Sequence, residues 1–348
     1  MKSNSSAVSA PPRRIGASRL KRNILVGALL AAPLPALACA SCGCTLSSDW
    51  ASMGYSAAPG LQTDIRYDYL DQNQLRSGRN TISPQAASQI VTNGNNQEVE
   101  KYTRNQYWTL GADYVFNPNW RLSVQVPITD RAHSTLGTQS DGSTAGPGGG
   151  QYDSKYTSLG DVKVIGRYQG FTEQHNFGIL FGLKLPTGSH TLTGTSTDPT
   201  APGPVPIDRG LQPGSGTTDV ILGAYYFDTL SKNWDYFAQG IFQAATDSKD
   251  QYRPGNNVTL TAGLRYMGFE GFTPLLQVNA RNVVHDGGIN SDPVSTGGTL
   301  VYISPGVVVP LGQRASVYGF VQLPVYQNVN GVQLAPRYTA SIGLHYSF

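Results

Sequence analysis

The chain has 348 residues, of which only 14% are charged, and it holds 40 Gly and 19 Tyr. Its 25 basic and 22 acidic residues give a net charge of +3, but six of the basic and none of the acidic residues lie in positions 1–38, so the remainder carries 19 basic against 22 acidic, net −3. That balance speaks against a nucleic-acid partner, and a Gly- and Tyr-rich, charge-poor composition is unlike a soluble enzyme.

Residues 1–38 read as an export signal. Lys2, Arg13, Arg14, Arg19, Lys21 and Arg22 form a basic stretch without an acid. Ile24 to Leu34 is an apolar core too short to span a bilayer as a helix, and Ala36-Leu37-Ala38 supplies small residues for cleavage. Cys39 then comes first, in a short periplasmic segment, residues 39–60, that precedes the rest. Cys39, Cys42 and Cys44 are the only cysteines. Three thiols so close hold a soft metal such as Cu(I) or Zn(II), or form one disulfide with a spare thiol in an oxidising compartment, or take a lipid at Cys39. No His follows in Cys-x-x-Cys-His form, which argues against covalent haem. Beyond a soft metal at this cluster, no cofactor is expected.

From Leu61 onward the pattern has period two. Ile65, Tyr67 and Tyr69 alternate with Asp64, Arg66 and Asp68 in the segment Leu61 to Leu70. A long polar stretch, Asp71 to Asn105, reads as a loop. Trp108, Leu110, Ala112, Tyr114 and Phe116 share one face, Asn117-Pro118-Asn119 turns the chain, and Trp120, Leu122, Val124, Val126 and Ile128 share the next. Side chains of a strand point alternately to opposite faces, so each segment is a strand with an apolar and a polar side. A loop at Asp130 to Thr157 precedes strands at Leu159 to Gln169 and Asn176 to Leu185. After the loop Thr187 to Ser215 come Thr217 to Phe227, Trp234 to Thr246, Asn257 to Met267, Thr273 to His285, Thr299 to Pro310 and Ala315 to Gln327. Asn328 to Gln333 loops into the last strand, Tyr338 to Phe348, whose even-numbered residues are apolar and which ends on an aromatic.

These segments make about twelve strands whose connections alternate long and short. The pattern predicts an all-β fold, an antiparallel transmembrane β-barrel over residues 61–348 in a bacterial outer membrane, with long extracellular loops and short periplasmic turns. A mean hydropathy of −0.26 is compatible with it, because lipid-facing and lumen-facing residues cancel. Alternation alone also fits a soluble β-sandwich. The aromatics at strand ends, the terminal Phe348 and the export signal decide against that. The expected partners are outer-membrane lipid, the barrel-assembly machinery through the C-terminal strand, and a small-molecule solute.

A charged side chain facing mid-bilayer lipid costs roughly 2–4 kcal/mol, so the polar face must point inward. The residues expected to line the lumen are Arg66, Asp113, Arg121, Gln125, Asp161, Lys163, Arg167, Lys184, Asp219, Gln239, Arg265, Gln277, Arg281, Gln322 and Arg337. Their signs nearly balance, which favours pairing across the interior and weak ion selectivity. Twelve strands lie between the filled eight-stranded and the open sixteen-stranded barrels, so a narrow or loop-gated passage is expected.

Three stretches carry a family resemblance. Ser158-Leu159-Gly160-Asp161-Val162 runs on to Arg167-Tyr168, Leu183-Lys184-Leu185-Pro186-Thr187-Gly188 ends a strand, and Gly214-Ser215-Gly216-Thr217-Thr218-Asp219 begins the next. Their order resembles the outer-membrane barrel family named for the MetA pathway of phenol degradation. The resemblance spans Leu61 to Phe348 and implies transport of small aromatic or apolar compounds, with no catalytic residues. The cysteine-rich start is not part of that family's pattern. No Gly-x-Ser-x-Gly element, paired-His metal motif or P-loop appears, so an enzyme is not expected.

Overall fold

A computed structural model of the chain describes residues 59–92, 95–96, 99–136, 150–198 and 202–348. The expected export signal and Cys39, Cys42 and Cys44 lie outside the described residues. Strands β1 (Gly60–Gly78) and β2 (Asn80–Thr81) are followed by a five-residue helix, Pro84–Ser88, and by the small pair β3 (Val91–Thr92) and β4 (Asn95–Asn96). Next come β5 (Val99–Asn117), β6 (Trp120–Leu136), β7 (Gln151–Leu159), β8 (Lys163–Tyr168) and β9 (Phe177–Lys184). The hairpin β10 (Thr193–Ser196) and β11 (Gly203–Pro206) precedes β12 (Asp219–Ser231), β13 (Trp234–Ala245), β14 (Asn257–Tyr266), β15 (Thr273–Val283), β16 (Gly298–Leu311) and β17 (Ala315–Ser347). No described helix is long and apolar enough to cross a membrane; the crossings are made by strands.

All barrel pairings are antiparallel, and the ring is closed. β6 pairs with β8 as well as β5, and β1 pairs with β17, from Gln62 opposite Ser347 to Leu70 opposite Thr339. The 33-residue β17 doubles back on itself. Its first half pairs with β16 up to Val329, its second half with β1 from Val332, and Gly331 between them takes a φ of +53° that suits glycine. With β17 counted twice and β7 and β8 counted as one interrupted strand, the wall has twelve crossings.

Four expectations are corrected. Much of the expected loop Asp71 to Asn105 is strand, since β1 runs to Gly78 and β5 starts at Val99. The expected loop Asp130 to Thr157 is trimmed in the same way by β6 and β7. Nine to eleven tilted residues suffice to cross lipid, so the alternating pattern ends at the lipid boundary while the backbone ladder continues into water. The expected single strand Leu159 to Gln169 is cut in two at residues 160–162, and Asn328 to Gln333 is a tight reversal rather than a loop.

The outer face confirms the pattern. Ile65, Leu110, Leu222, Leu260, Leu276, Ile342 and Leu344 are all exposed on it. Aromatic rings line the short-turn end. Trp120 lies 4.8 Å from Tyr168, Tyr168 4.9 Å from Phe171, and Phe171 5.5 Å from Phe177. Trp234, Tyr266, Phe269 and Phe272 form a second such row, and Tyr346 packs edge-on against Phe348. Amphipathic rings favour the membrane interface, which sets the edge of the lipid belt. Leu344 sits opposite Ile65, between this rim and the upper pair Tyr67 and Trp108. Leu344→Arg is therefore expected to cost roughly 2–4 kcal/mol. Urea unfolding of the barrel in bilayers, followed by heat-modifiable gel migration, measures it, and an unchanged midpoint would contradict the inside–outside assignment.

Candidate functional site

The inward face of the barrel has two kinds of wall. On and around β1, β5, β6 and β8 it is polar and paired. Arg66 Nε donates to Asp68 Oδ2 at 2.8 Å, and Ser341 Oγ donates to Asp68 Oδ1 at 2.6 Å. Arg167 Nη1 lies 3.5 Å from Asp113 Oδ1, and Ser123 Oγ bridges the two. On β13 and β14, Arg265 Nη2 reaches Asp235 Oδ2 at 3.4 Å. Buried cations of this kind persist only when paired.

The expected lumen residues fall into three groups. Arg121, Asp161, Arg167, Lys184, Asp219, Gln239, Arg265, Gln277 and Gln322 are buried. Arg66, Asp113, Gln125, Lys163 and Arg281 are half-buried. Arg337 is exposed: the register shifts between the Leu70–Thr339 and Gln72–Pro336 pairs, and the bulge there turns Arg337 out of the inward row.

The other side carries apolar clusters among polar residues such as Gln239, Arg265, Gln277 and Gln322. Ile165, Leu180, Ile221 and Tyr225 form one buried cluster, and Phe237, Leu275, Val308, Tyr318 and Phe320 form a second, with Phe227 packed against both. These residues alternate with lipid-facing ones, so their strands are apolar on both faces and the inward set cannot be told from the outward set by hydropathy. The signal that finds them is register. Tyr225 stands opposite Gly178, Phe237 opposite Gly263, and Phe320 opposite Gly306.

A seam lies where β7 breaks from β8. Below it β8 pairs with β9; above it β7 pairs with β10. Across residues 160–162 side chains replace ladder bonds. Thr187 Oγ1 accepts from Val162 N at 2.9 Å and donates to Gly160 O at 2.9 Å. The Asp161 carboxylate accepts from Lys184 Nζ at 2.7 Å, from Gly188 N at 3.0 Å, and from both N and Oγ of Ser215 at 3.0 Å. Lys184 Nζ also lies 3.2 Å from Asp219 Oδ1. The three Gly- and Pro-containing stretches singled out in the sequence thus converge here. Gly188 and Gly214 touch backbone to backbone, leaving no room for a Cβ at either.

The long-loop end is tied by Arg209 and Asp286. Arg209 donates to the carbonyls of His190, Ser215 and Lys249 and to Asp250 Oδ2. Asp286 accepts from Tyr252 OH at 2.9 Å and Gly255 N at 2.7 Å, and burial pushes its carboxyl above the usual carboxylate range. Among the described residues no cluster of three or more His, Cys, Asp or Glu could hold a metal ion.

No protein-family model matches the sequence, and no curated protein matches it either. Solved structures do. An outer-membrane channel from Pseudomonas putida F1 superposes with a TM-score of 0.60 at 13% identity, over 87% of this chain and all of that one. The CymD monoaromatic hydrocarbon channel gives a TM-score of 0.48 at 10% identity, over 83% of this chain and 89% of that chain. The Pseudomonas putida toluene transporter TodX gives 0.46 at 10% identity, over 90% and 98%. The first of these likenesses shows a shared fold, the outer-membrane β-barrel.

The seam yields a test. Asp161→Ala leaves Lys184 and two backbone N–H groups short of an acceptor, and breaking a buried pair this way costs roughly 3–5 kcal/mol. The urea midpoint of the folded barrel is expected to fall accordingly. A midpoint equal to the parent would mean that the seam bears no load.

Proposed function

We propose that this barrel is an outer-membrane channel that passes small apolar solutes, aromatic ones among them. The observation that carries the reading is the apolar inner wall. A passage built for sugars or ions presents hydrogen-bonding groups all round. Here two buried aliphatic and aromatic clusters occupy part of the inward face, and apolar surface exposed to water costs about 25 cal/mol per Å². An apolar solute that packs among such side chains is removed from water at no cost in lost hydration; a hydrated ion is not. The charges on the opposite wall are paired, which leaves little field to select ions by sign.

Two further points support the reading. The Pseudomonas putida barrel of the same fold is an outer-membrane channel. The stretches that resemble the family named for phenol degradation are the same ones that build the seam. On this reading residues 1–38 direct export, the final strand presents Phe348 to the barrel-assembly machinery, and the paired polar residues line the passage.

The test uses 1-N-phenylnaphthylamine, an apolar aromatic dye that an intact outer membrane holds back and that fluoresces on reaching the lipid within. Bacterial cells carrying the folded barrel are expected to take it up several-fold faster than cells with the empty vector, with periplasmic enzymes retained. Equal rates, with the barrel present in the outer membrane, would overturn the channel reading.

A further inference from the structure

Arg66, Arg167, Lys184 and Arg265 each face a carboxylate inside the barrel. Arg281 on β15 does not. Among the described residues no carboxylate pairs with it and no group accepts a hydrogen bond from it, and its Nε is buried without a partner. The reason lies in the strands around it: β14, β15, β16 and β17 hold no Asp or Glu, so that side of the ring has no counterion to offer. Two neighbouring groups are left open as well. Asn279, on the same inward row and 1% exposed, gives Nδ2 to Ser304 Oγ at 2.7 Å but has no partner for Oδ1. Thr261, opposite Asn279 and 5% exposed, has no partner for its hydroxyl. Buried polar atoms as a rule find partners, so three open ones side by side mark a place where a polar group is received. Arg281 stands just below the last rung of β15, the pair of Asn257 with Val283. Beside it on the outer face Asn282 Nδ2 donates to Thr299 Oγ1 at 2.8 Å, the level at which the lipid-facing row turns polar. Arg281 is half-buried, so solvent in the long-loop mouth of the barrel reaches it.

The two flanks of Arg281 differ in character. On the β16 side Leu300 lies opposite Arg281 and Tyr302 opposite Asn279, and these two form a buried apolar pair. On the β14 side Thr259 lies opposite Arg281. Directly opposite side chains of paired strands stand roughly 5 Å apart, so a guanidinium, a hydroxyl, an aliphatic side chain and an aromatic ring lie within reach of one small molecule. We propose that this patch is a subsite for a small aromatic acid, with Arg281 holding the carboxylate and Leu300 and Tyr302 the ring. The proposal rests on the channel reading above and narrows its solutes to aromatics that carry one acid group. A guanidinium presents parallel N–H groups that match the two oxygens of a carboxylate. The other cation of β14 to β16, Arg265, is taken up by Asp235, and a single free cation suits a carboxylate better than a doubly charged phosphate. The ring leaves water against Leu300 and Tyr302 while the acid stays at the guanidinium, which an acid without a ring cannot do. Asn279 and Thr261 lie one inward position deeper, roughly 7 Å along the strand. There they offer an acceptor and a hydroxyl to a polar substituent on the far side of the ring.

The experiment is isothermal titration calorimetry of sodium benzoate, benzyl alcohol and sodium acetate into the barrel purified from outer membranes in detergent, with the heats of empty micelles subtracted. The parent, Arg281→Gln and Arg337→Gln are compared after heat-modifiable migration has confirmed their folding. Arg281→Gln strands no carboxylate, and Arg337→Gln removes an arginine that faces out of the inward row. Benzoate is expected to bind the parent and Arg337→Gln at one site, at least tenfold tighter than benzyl alcohol or acetate. In Arg281→Gln benzoate is expected to weaken at least tenfold, while benzyl alcohol changes less than twofold. Added potassium chloride is expected to weaken benzoate on the parent and to leave benzyl alcohol unchanged, since only the acid is held by charge. No benzoate binding to the folded parent, or equal binding by the parent and Arg281→Gln, would overturn the proposal. Acetate bound as tightly as benzoate would overturn the aromatic assignment. Should Arg281→Gln not fold, the ratio of benzoate to benzyl alcohol on the parent and its salt dependence decide alone. Dye uptake judges the channel reading separately. A barrel that binds benzoate through Arg281 yet passes no dye keeps the subsite and loses the channel; one that passes dye and binds no benzoate loses the subsite alone.

Discussion

A peptide group that meets lipid without a hydrogen-bond partner costs several kcal/mol, so the first and last strands of this chain have to find each other. They do so along their whole length, from Gln62 opposite Ser347 upward, and Phe348 N donates to Leu61 O beyond the last rung. Every other feature follows from that closure. A closed antiparallel ring has one face toward lipid and one toward itself, and each residue must take one or the other. Leucines and isoleucines on the outer row and aromatics at the short-turn rim are what lipid and its interface accept. Charges are driven inward, where they persist by pairing, as Arg66 does with Asp68 and Lys184 with Asp161 and Asp219.

Closure also limits the interior. Twelve crossings leave room for side chains from both walls, but not for bulky residues at every inward position. The chain resolves this in part by placing a glycine opposite several large inward groups. Leu180 lies across from Gly223, Ile165 from Gly182, and Phe237 from Gly263. The high glycine content therefore has a spatial meaning that turn chemistry does not supply. It lets an apolar wall exist inside a barrel of this size without distorting the ladder.

At the seam at residues 160–162 part of the backbone pairing is handed to side chains. A single carboxylate, Asp161, satisfies groups from three segments that are distant in sequence. Thr187 Oγ1 stands in for a backbone acceptor at Val162 N. The arrangement is over-determined enough to keep the wall closed. It also explains why glycines and a proline crowd there: Gly188 and Gly214 approach so closely that only hydrogen fits between their backbones.

The period-two pattern determined the fold, because a strand buried on one face and bathed in lipid on the other must alternate. It also placed Phe348 and the lipid-facing rows, and nine of the fifteen polar residues it assigned to the lumen, from Arg121 to Gln322, are buried, because a charge cannot face hydrocarbon. It did not place Arg337, because a bulge moves one residue between faces and leaves no mark in hydropathy. Nor did it mark the upper ends of β1, β5 and β6, where both faces meet water and alternation stops although the ladder goes on. The apolar half of the interior was out of its reach for the opposite reason: Phe237 and its neighbours Tyr236 and Ala238 all read as apolar, and nothing in a one-dimensional pattern says which of them faces in. Only the register of paired strands decides that, by setting Gly263 across from Phe237 and Gly306 across from Phe320, where the facing residue leaves the ring the space a side chain would fill.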